Sequence, residues 1–267
     1  MTAASFAAAI AVMAVMMAGF MALATLIERR TGNSGWIDVV WTFGLGTTGV
    51  IGALLPFGDG PLSRRLLVAG LALLWALRLG LHIAQRTKGI AEDPRYARLK
   101  RDWGADAPRQ MARLLQIQAL VSVPLALGIL LAAHNPSPVL GWRDLAGVLV
   151  FAIGIAGGTV ADRQMRAFAR SGSGGVCRRG LWGWSRHPNY FFECVLWCAY
   201  AVIAPAALYA WGWLALLAPA CITLLLVRIS GIPPLEQHML AKHGAAYRDY
   251  QMRTSALIPL PPQGMKR

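Results

Sequence analysis

Residues 4–27 read ASFAAAIAVMAVMMAGFMALATLI, a run of 24 residues without one charged side chain. An α-helix needs about 20 predominantly apolar residues to cross the ~30 Å hydrocarbon core of a bilayer. Inside that core the backbone must satisfy its own hydrogen bonds. The run therefore predicts a membrane-spanning helix, which ends at the charged residues Glu28, Arg29 and Arg30. Because no basic leader precedes it, we expect it to remain as a span and not to be removed as a signal peptide.

Further apolar runs recur along the chain. Hydrophobic residues make up 56% of the 267 residues and charged residues only 14%, whereas a soluble domain contains about 25% charged residues. The runs predict an all-α, polytopic membrane helix bundle of about seven transmembrane helices, forming one integral-membrane domain over residues 1–267. The predicted spans are 4–27, 36–55, 66–83, 114–133, 145–160, 190–208 and 211–229.

The distribution of Lys and Arg predicts the orientation of the bundle. Four segments, 28–35, 86–113, 161–188 and 228–267, contain 22 of the 26 Lys and Arg residues. Basic residues accumulate in cytoplasmic loops, so this bias predicts an N-out/C-in arrangement. The net charge of +14 has the same origin. We therefore expect contact with anionic membrane lipid and no binding of nucleic acid, since no basic soluble module is present.

Three of the inner segments are too long and too polar to be simple connections. They cover residues 86–113, 161–188 and 230–267. We expect them to form a cytoplasmic cap over the helix bundle.

The segment GLWGWSRHPNYFFE, residues 180–193, has the highest density of polar and aromatic side chains. It contains Arg186, His187, Asn189, Tyr190 and Glu193. Asn189 and Glu193 are four residues apart and share one helix face. Glu193 lies about one turn inside an apolar run, where an ionisable group is costly and is a functional candidate. The alternative interpretation is an interfacial girdle of aromatic anchors.

An arginine row precedes this segment. Arg163, Arg166 and Arg170 follow Asp162 at spacings that place them on one helix face. Such a row can hold phosphate groups through charge-assisted hydrogen bonds. It can equally be a row of basic residues beside lipid headgroups. In the tail, Tyr247 and Tyr250 are three apart, which favours either a ligand contact or interfacial packing.

Charged residues also occur within the second and third predicted spans. Arg78 and His82 are four apart on one face, and Arg86 follows four residues later. A buried Arg78 needs an acidic partner, and Asp38 is the obvious one. The pair is either a functional site or a structural ion pair that fixes helix packing.

The sequence indicates neither a metal site nor a standard nucleotide-binding motif. Cys194 and Cys198 are one helical turn apart, but no histidine or acidic partner completes a ligand set, so we interpret them as small buried side chains. There is no GxGxxG in a strand–helix context and no Walker loop. A nucleotide would therefore bind to loops and helix ends.

These motifs together resemble the steroid 5α-reductase superfamily, in particular its bacterial branch of uncharacterised function. The most specific part is Gly180-Leu-Trp…Ser-Arg-His-Pro-Asn-Tyr…Glu193. The pattern Tyr247-x-x-Tyr250-x5-Ala-Leu-Ile-Pro259 supports it, as do Asp93-Pro94-Arg95-Tyr96 and Trp103-Gly104. The resemblance covers the chain from about Asp38 to Pro259. Judged from the family branch, the membrane is expected to be the bacterial inner membrane.

The resemblance implies a reductase with seven spans and an NADPH pocket open to the cytosol. Asn189 and Glu193 would contact the nicotinamide end, Asp162 would lie at the cofactor, and Tyr250 at its phosphates. Further phosphate candidates are Arg166, Arg170, Arg178 and Arg179. The remaining polar residues of the motifs are assigned to the cofactor site as well: Arg186, His187, Tyr190 and Tyr247.

The resemblance also implies the chemistry. Hydride added to the double bond of a lipophilic enone builds an enolate, whose charge a donor must stabilise. The steroid enzymes use a tyrosine of the third span and a glutamate of the second. Here Ile83 stands at the tyrosine position, and Asp38 is the nearest match to the glutamate. His82 is a possible donor in its place, so Asp38, His82 and Glu193 are the predicted catalytic residues.

A second resemblance leads to a different reaction. Isoprenylcysteine carboxyl methyltransferases share an Arg-His-Pro-x-Tyr segment, present here as residues 186–190, and a tail glutamate that corresponds to Glu236. Those enzymes bind S-adenosylmethionine, which carries no phosphate, so the arginines near 163–179 favour NADPH.

Overall fold

The computed structural model describes residues 1–262, which contain ten α-helices and, apart from two isolated bridges, no β-structure. The helices are α1 Ala3–Thr31, α2 Gly35–Leu54, α3 Leu62–Thr87, α4 Pro94–Trp103, α5 Ala107–Ala133, α6 Trp142–Arg170, α7 Pro188–Ile203, α8 Leu217–Leu224, α9 Ile232–His243 and α10 Ala245–Arg253. The all-α prediction is confirmed.

Six helical stretches within residues 1–262 are long and apolar enough to cross a membrane, close to the predicted number of about seven. They are Ala3–Thr31, Gly35–Leu54, Leu62–Thr87, Pro94–Ala133, Trp142–Arg170 and Ala210–His243. The difference lies at the predicted span 190–208, where α7 has only 16 residues. At 1.5 Å per residue α7 is about 24 Å long, and it ends just before Pro205, which disfavours helical geometry in the residue that precedes it.

Several helices extend beyond their predicted spans: α1 ends at Thr31, and α5 begins at Ala107. α3 covers more than 66–83, and α6 continues past 160 as far as Arg170. The apolar run marks only the part of a helix that suits hydrocarbon. Arg and Gln are good helix formers in water, so the helix continues where the apolar run stops.

By its internal contacts the chain forms two compact units. The first consists of Met1–Val148 and Tyr200–Cys221, and the second of Leu149–Ala199 and the chain from Ile222 onward. In the first unit, glycines let α2 approach its neighbours closely. A Cβ atom at Gly46 would overlap the Cβ of Ala76 in α3, and one at Gly49 would lie 2.5 Å from Cδ1 of Ile129 in α5. Small residues at helix crossings are typical of membrane bundles.

Arg64 of α3 is a buried charge in the first unit, with 1% of its surface exposed. Its Nε and Nη2 atoms bond both carboxylate oxygens of Asp144 at 2.7 and 2.9 Å. Its other N–H groups donate to the carbonyls of Asn135, Ser137 and Val139 at 2.5–2.9 Å. All five donors are therefore satisfied, and one side chain ties α3 to α6 and to the loop that precedes α6.

We expect Arg64→Met to destabilise the protein strongly. The substitution leaves Asp144 and three carbonyls without their donor, and breaking a buried pair costs about 3–5 kcal/mol. Thermal unfolding in detergent measures the loss. The matched control is Arg143→Met, because Arg143 lies next to Asp144 in sequence but stacks on the ring of Trp142. Equal melting temperatures for the two variants would contradict the structural role of Arg64.

Candidate functional site

The motif-rich segment that precedes α7 is fixed to the end of α6 in the second unit. Residues Gly180–Gly183 form one 3₁₀ turn. The backbone N–H of Leu181 donates to the side-chain oxygen of Gln164 at 2.9 Å, and the indole N–H of Trp182 donates to the carbonyl of Ala161 at 3.0 Å. The turn thus sets the position at which α7 begins.

The tail after α10 runs beside this segment. The Ser185 hydroxyl donates to the carbonyl of Leu257 at 2.7 Å, and the backbone N–H of Arg186 donates to the carbonyl of Ser255 at 2.8 Å. Ser185 and Ser255 consequently form a short parallel bridge. Two parts of the chain about 70 residues apart, the family-like segment and the tail motif, are held together by backbone bonds.

An ion-pair network centred on Glu236 of α9 reinforces this attachment. Arg186 Nε bonds Glu236 Oε1 at 2.6 Å, and His187 Nε2 lies 3.1 Å from the same oxygen. The amide of Gln251 donates to Glu236 Oε2 at 2.8 Å. Arg186 also donates to the carbonyls of Gln251 and Thr254 at 3.0 and 2.5 Å. Arg186 and His187, predicted to bind a cofactor, contact the tail in this structure, and their cofactor roles stay predictions.

The two predicted tyrosines belong to the same network. Burial raises the pKa of both Tyr247 and Tyr250 above the usual value for a phenol, and the charge of Glu236 raises that of Tyr247 further. Both hydroxyls are therefore protonated at neutral pH. Tyr250 donates to the carbonyl of Trp182 at 2.5 Å, and its ring lies under the guanidinium of Arg178.

The polar face of α7 begins directly after this network. The rings of His187 and Tyr190 stack with their centroids 5.4 Å apart. Glu193 Oε1 accepts a hydrogen bond from the indole N–H of Trp197 at 2.9 Å. Asn189, Tyr190 and Glu193 are each half-buried. The predicted sharing of one face by Asn189 and Glu193 is consistent with the start of α7 at Pro188.

The predicted phosphate-binding residues differ in their surroundings. Asp162 is buried, with 8% exposed, and Arg166 is half-buried. Arg178 pairs with Asp249 at 2.8 Å, and this contact is the main reason why the pKa of Asp249 is lowered. Arg170 and Arg179 are exposed, and neither forms an ion pair or hydrogen bond with any residue in 1–262.

A glycine-rich loop connects Arg170 to the 3₁₀ turn. Gly172, Gly174 and Gly175 all have φ between 60° and 74°, the left-handed region that glycine adopts without strain. Residues 171–175 are exposed. The loop therefore leaves backbone N–H groups and two arginine side chains accessible to an anion.

Asp38 belongs to a polar cluster in the first unit. Its Oδ2 atom bonds Arg95 at 2.5 Å, and its Oδ1 atom accepts from the hydroxyl of Tyr96 at 3.2 Å. The sequence had suggested Arg78 as the partner of Asp38, but the cation in contact with it is Arg95. His82, the other predicted catalytic residue of this part of the chain, lies half-buried on α3.

The start of α4 explains why Arg95 reaches Asp38. Asp93 caps the helix, because its Oδ1 atom accepts from the backbone N–H of Arg95 at 2.9 Å, and Pro94 occupies the first turn. Burial opposes ionisation of Asp93, but the hydrogen bonds from Arg95 outweigh it and lower its pKa. Sequence reasoning missed Arg95 and Tyr96 as site residues. The pair Asp93-Pro94 was the available signal, because an Asp N-cap followed by Pro predicts a helix start, and Arg95 and Tyr96 then lie in the first turn of that helix.

A second ion-pair network in the first unit holds α4 to α1. Lys100 Nζ bonds Glu28 at 2.6 Å and Glu92 at 2.7 Å. The backbone N–H of Ser34 donates to Glu92 at 2.8 Å. These contacts place α4 next to the start of α2, where Asp38 lies.

Comparison with known proteins identifies the family. A family model described as "Protein of unknown function (DUF1295)" matches residues 24–254. The chain belongs to this family. It is also 35% identical over 74 residues to a protein named steroid 5-alpha-reductase DET2 from Gossypium hirsutum, a match that covers 27% of this chain and 26% of that protein. The chain thus spans about a quarter of the length of the curated relative it matches. No solved structure matches the chain.

Both matches are consistent with the steroid 5α-reductase superfamily, so the predicted resemblance is confirmed. Together with the six helices able to span a bilayer, they identify the chain as an integral membrane protein. The orientation of the chain in the membrane stays a prediction.

We expect Glu236→Gln to loosen the tail. The substitution removes the charge that pairs with Arg186, at a cost of about 2 kcal/mol for a partly buried pair. Hydrogen–deuterium exchange at the backbone N–H of Arg186, which bonds Ser255, should accelerate. Asp249→Asn is the control, because that carboxylate pairs with Arg178 and Arg253 in a more exposed position. If exchange changes no more in Glu236→Gln than in the control, Glu236 does not hold the tail.

Proposed function

We propose that the protein is a membrane-embedded, NADPH-dependent reductase that transfers a hydride to the carbon–carbon double bond of a lipophilic enone, a steroid-like or other lipid. The family membership and the relative named as a steroid 5α-reductase support an oxidoreductase. The observation that carries the choice of cofactor is the accessible pair Arg170 and Arg179 on either side of a glycine-rich loop.

The residues of the second unit fit a phosphate-bearing cofactor. Arginine offers a planar set of donors that matches phosphate oxygens, and exposed N–H groups of a glycine loop add further donors. Arg178 and Arg186 are occupied by Asp249 and Glu236. Arg170 and Arg179 remain as the residues that would hold phosphates, with Arg166, Tyr247 and Tyr250 as predicted neighbours. Asn189 and Glu193 would orient the nicotinamide.

When bound, NADPH supplies the hydride that is added to the double bond of the substrate. Negative charge then develops on the carbonyl oxygen of the enone, and a donor has to stabilise it. Ile83 stands at the family tyrosine position and cannot donate. The first unit nevertheless contains a phenol beside a carboxylate, because the hydroxyl of Tyr96 contacts Asp38. We propose Tyr96 as the donor: its one hydroxyl proton, which Asp38 accepts in this structure, would turn to the enolate oxygen, while Arg95 keeps its ion pair with Asp38. His82 is the second candidate donor.

An S-adenosylmethionine-dependent methyltransferase is the alternative. One observation favours it: the structure brings Arg186 and His187 of the shared motif against Glu236. In this structure, however, those contacts attach the tail, and S-adenosylmethionine has no phosphate that would use Arg170 and Arg179. We therefore prefer the reductase.

Ligand-dependent stabilisation of the purified protein in detergent distinguishes the two cofactors. We expect NADPH to raise the melting temperature. At a concentration 100-fold above its Kd, binding should add about 2.7 kcal/mol to the free energy of unfolding. S-adenosylmethionine should have no effect. Stabilisation by S-adenosylmethionine alone would overturn the reductase proposal and make His187, Tyr190 and Glu236 the centre of a methyl-transfer site.

The double variant Arg170→Ala/Arg179→Ala tests the phosphate assignment with the same assay. It should weaken NADPH binding about tenfold, as expected for a lost charge-assisted contact, and it should weaken NADH binding less, since NADH lacks the 2′-phosphate. Arg143→Ala, on the predicted outer side, is the control and should bind both cofactors normally. Equal losses for NADPH and NADH would deny these arginines a role at the 2′-phosphate.

Tyr96→Phe tests the proposed donor, because it removes one hydroxyl and keeps the ring. We expect turnover of enone lipids to fall about 10²-fold, with the stabilisation by NADPH unchanged. Tyr209→Phe is the control, since the buried Tyr209 hydroxyl donates to the carbonyl of Leu131 in the same unit. Full turnover by Tyr96→Phe would transfer the assignment to His82.

A further inference from the structure

A charged cleft in the first unit plays no part in the proposed reaction. It has a volume of about 400 Å³ and is lined by Asp106, Arg109, Gln110 and Arg113 at the beginning of α5. Both arginines are exposed, and neither forms a hydrogen bond or ion pair with any residue in 1–262. The one carboxylate in the cleft, that of Asp106, accepts from the amide of Gln110 at 2.7 Å.

The two arginines are unfavourable neighbours without an anion. Arg109 and Arg113 are four residues apart on one helix face, where like charges repel each other. Their guanidinium groups present planar sets of donors that match the oxygens of a phosphate group. The cleft thus has the charge and the donor geometry of a phosphate site.

The rest of this helix face indicates which phosphate compound fits. Ile117 and Leu120 follow Arg113 by four and seven residues, and 51% and 68% of their surfaces are exposed. The face therefore changes from basic to apolar within one to two turns. A free phosphate ion uses only the basic part, whereas a phospholipid places its headgroup on the arginines and its acyl chains along the apolar part.

On α1, which lies beside α5, the surface also changes from apolar to basic. The amide of Gln116 donates to the carbonyl of Ala18, and Arg29 donates to the carbonyl of Pro108, both at 3.3 Å, so the two helices run antiparallel and the end of α1 meets the start of α5. On α1 the exposed Leu26 is followed four residues later by the exposed Arg30. Apolar surface gives way to arginine at the same end of both helices, as at the boundary between hydrocarbon and water.

We propose that this cleft is a binding site for the headgroup phosphate of an anionic phospholipid, with Arg109 and Arg113 as the phosphate ligands and Ile117 and Leu120 along an acyl chain. The site lies wholly in the first unit and does not depend on the identity of the cofactor or the reaction. It holds a lipid of the surrounding bilayer at one fixed position on α5.

Native mass spectrometry of the full-length protein tests the proposal. It counts the lipids that stay bound to the protein after the detergent micelle has been removed. The probes are phosphatidylglycerol, phosphatidylcholine and inorganic phosphate. We expect phosphatidylglycerol to be retained in preference to phosphatidylcholine. The double variant Arg109→Gln/Arg113→Gln should lower its affinity about tenfold or more, because two charge-assisted contacts are lost.

Two further variants make the result specific. Arg143→Gln/Arg248→Gln removes the same two charges elsewhere and should retain phosphatidylglycerol like the natural protein. Leu120→Ala should lower the affinity for phosphatidylglycerol and leave the affinity for inorganic phosphate unchanged. Undiminished lipid binding by Arg109→Gln/Arg113→Gln would overturn the proposal. So would inorganic phosphate that binds as tightly as phosphatidylglycerol, since the cleft would then be a site for a free anion.

Discussion

A peptide group in hydrocarbon has no water to bond to, and this constraint determines most of the structure. The backbone of each span must form its own hydrogen bonds, which leaves helices as the only solution for a chain without a closed barrel. Side chains then decide how closely the helices approach. Gly46 and Gly49 remove the Cβ atoms that would overlap Ala76 and Ile129, so α2 packs directly against α3 and α5. Polar side chains then hold the ends of the helices to neighbouring segments through ion pairs and hydrogen bonds.

The helices could be predicted from the sequence because run length is a local property. The 24-residue run of α1 and the other apolar runs predict the all-α class and a number of spans close to the six helical stretches found in residues 1–262. Their ends were less predictable, because helices continue into water wherever good helix formers follow, as α6 does up to Arg170. α7 is the informative exception. Its apolar residues suggest a full span, but Pro205 ends the helix after Ile203.

The partners of charged side chains could not be predicted from the sequence, because they depend on contacts between distant parts of the chain. Arg64 lies outside the four basic segments predicted from the sequence, yet it is buried with five acceptor atoms. Arg78 was predicted as the partner of Asp38 because both lie within predicted spans, whereas Arg95 of the short helix α4 contacts Asp38. Arg186 and Tyr250 were predicted as cofactor-site residues, which stays a prediction, and their contacts with Glu236 and Trp182 join segments about 50 and 70 residues apart.

The arginines include two groups that the net charge of +14 conceals. Those with acidic partners, such as Arg64 and Arg186, hold helices and tail in place, and their charges are neutralised within the chain. Those without a partner in residues 1–262 include Arg170 and Arg179 beside the glycine loop of the second unit, and Arg109 and Arg113 at the start of α5 in the first. Mutual repulsion makes such groups costly unless an anion binds. The excess positive charge therefore includes two clusters that we propose bind phosphate, one on a cofactor and one on a lipid.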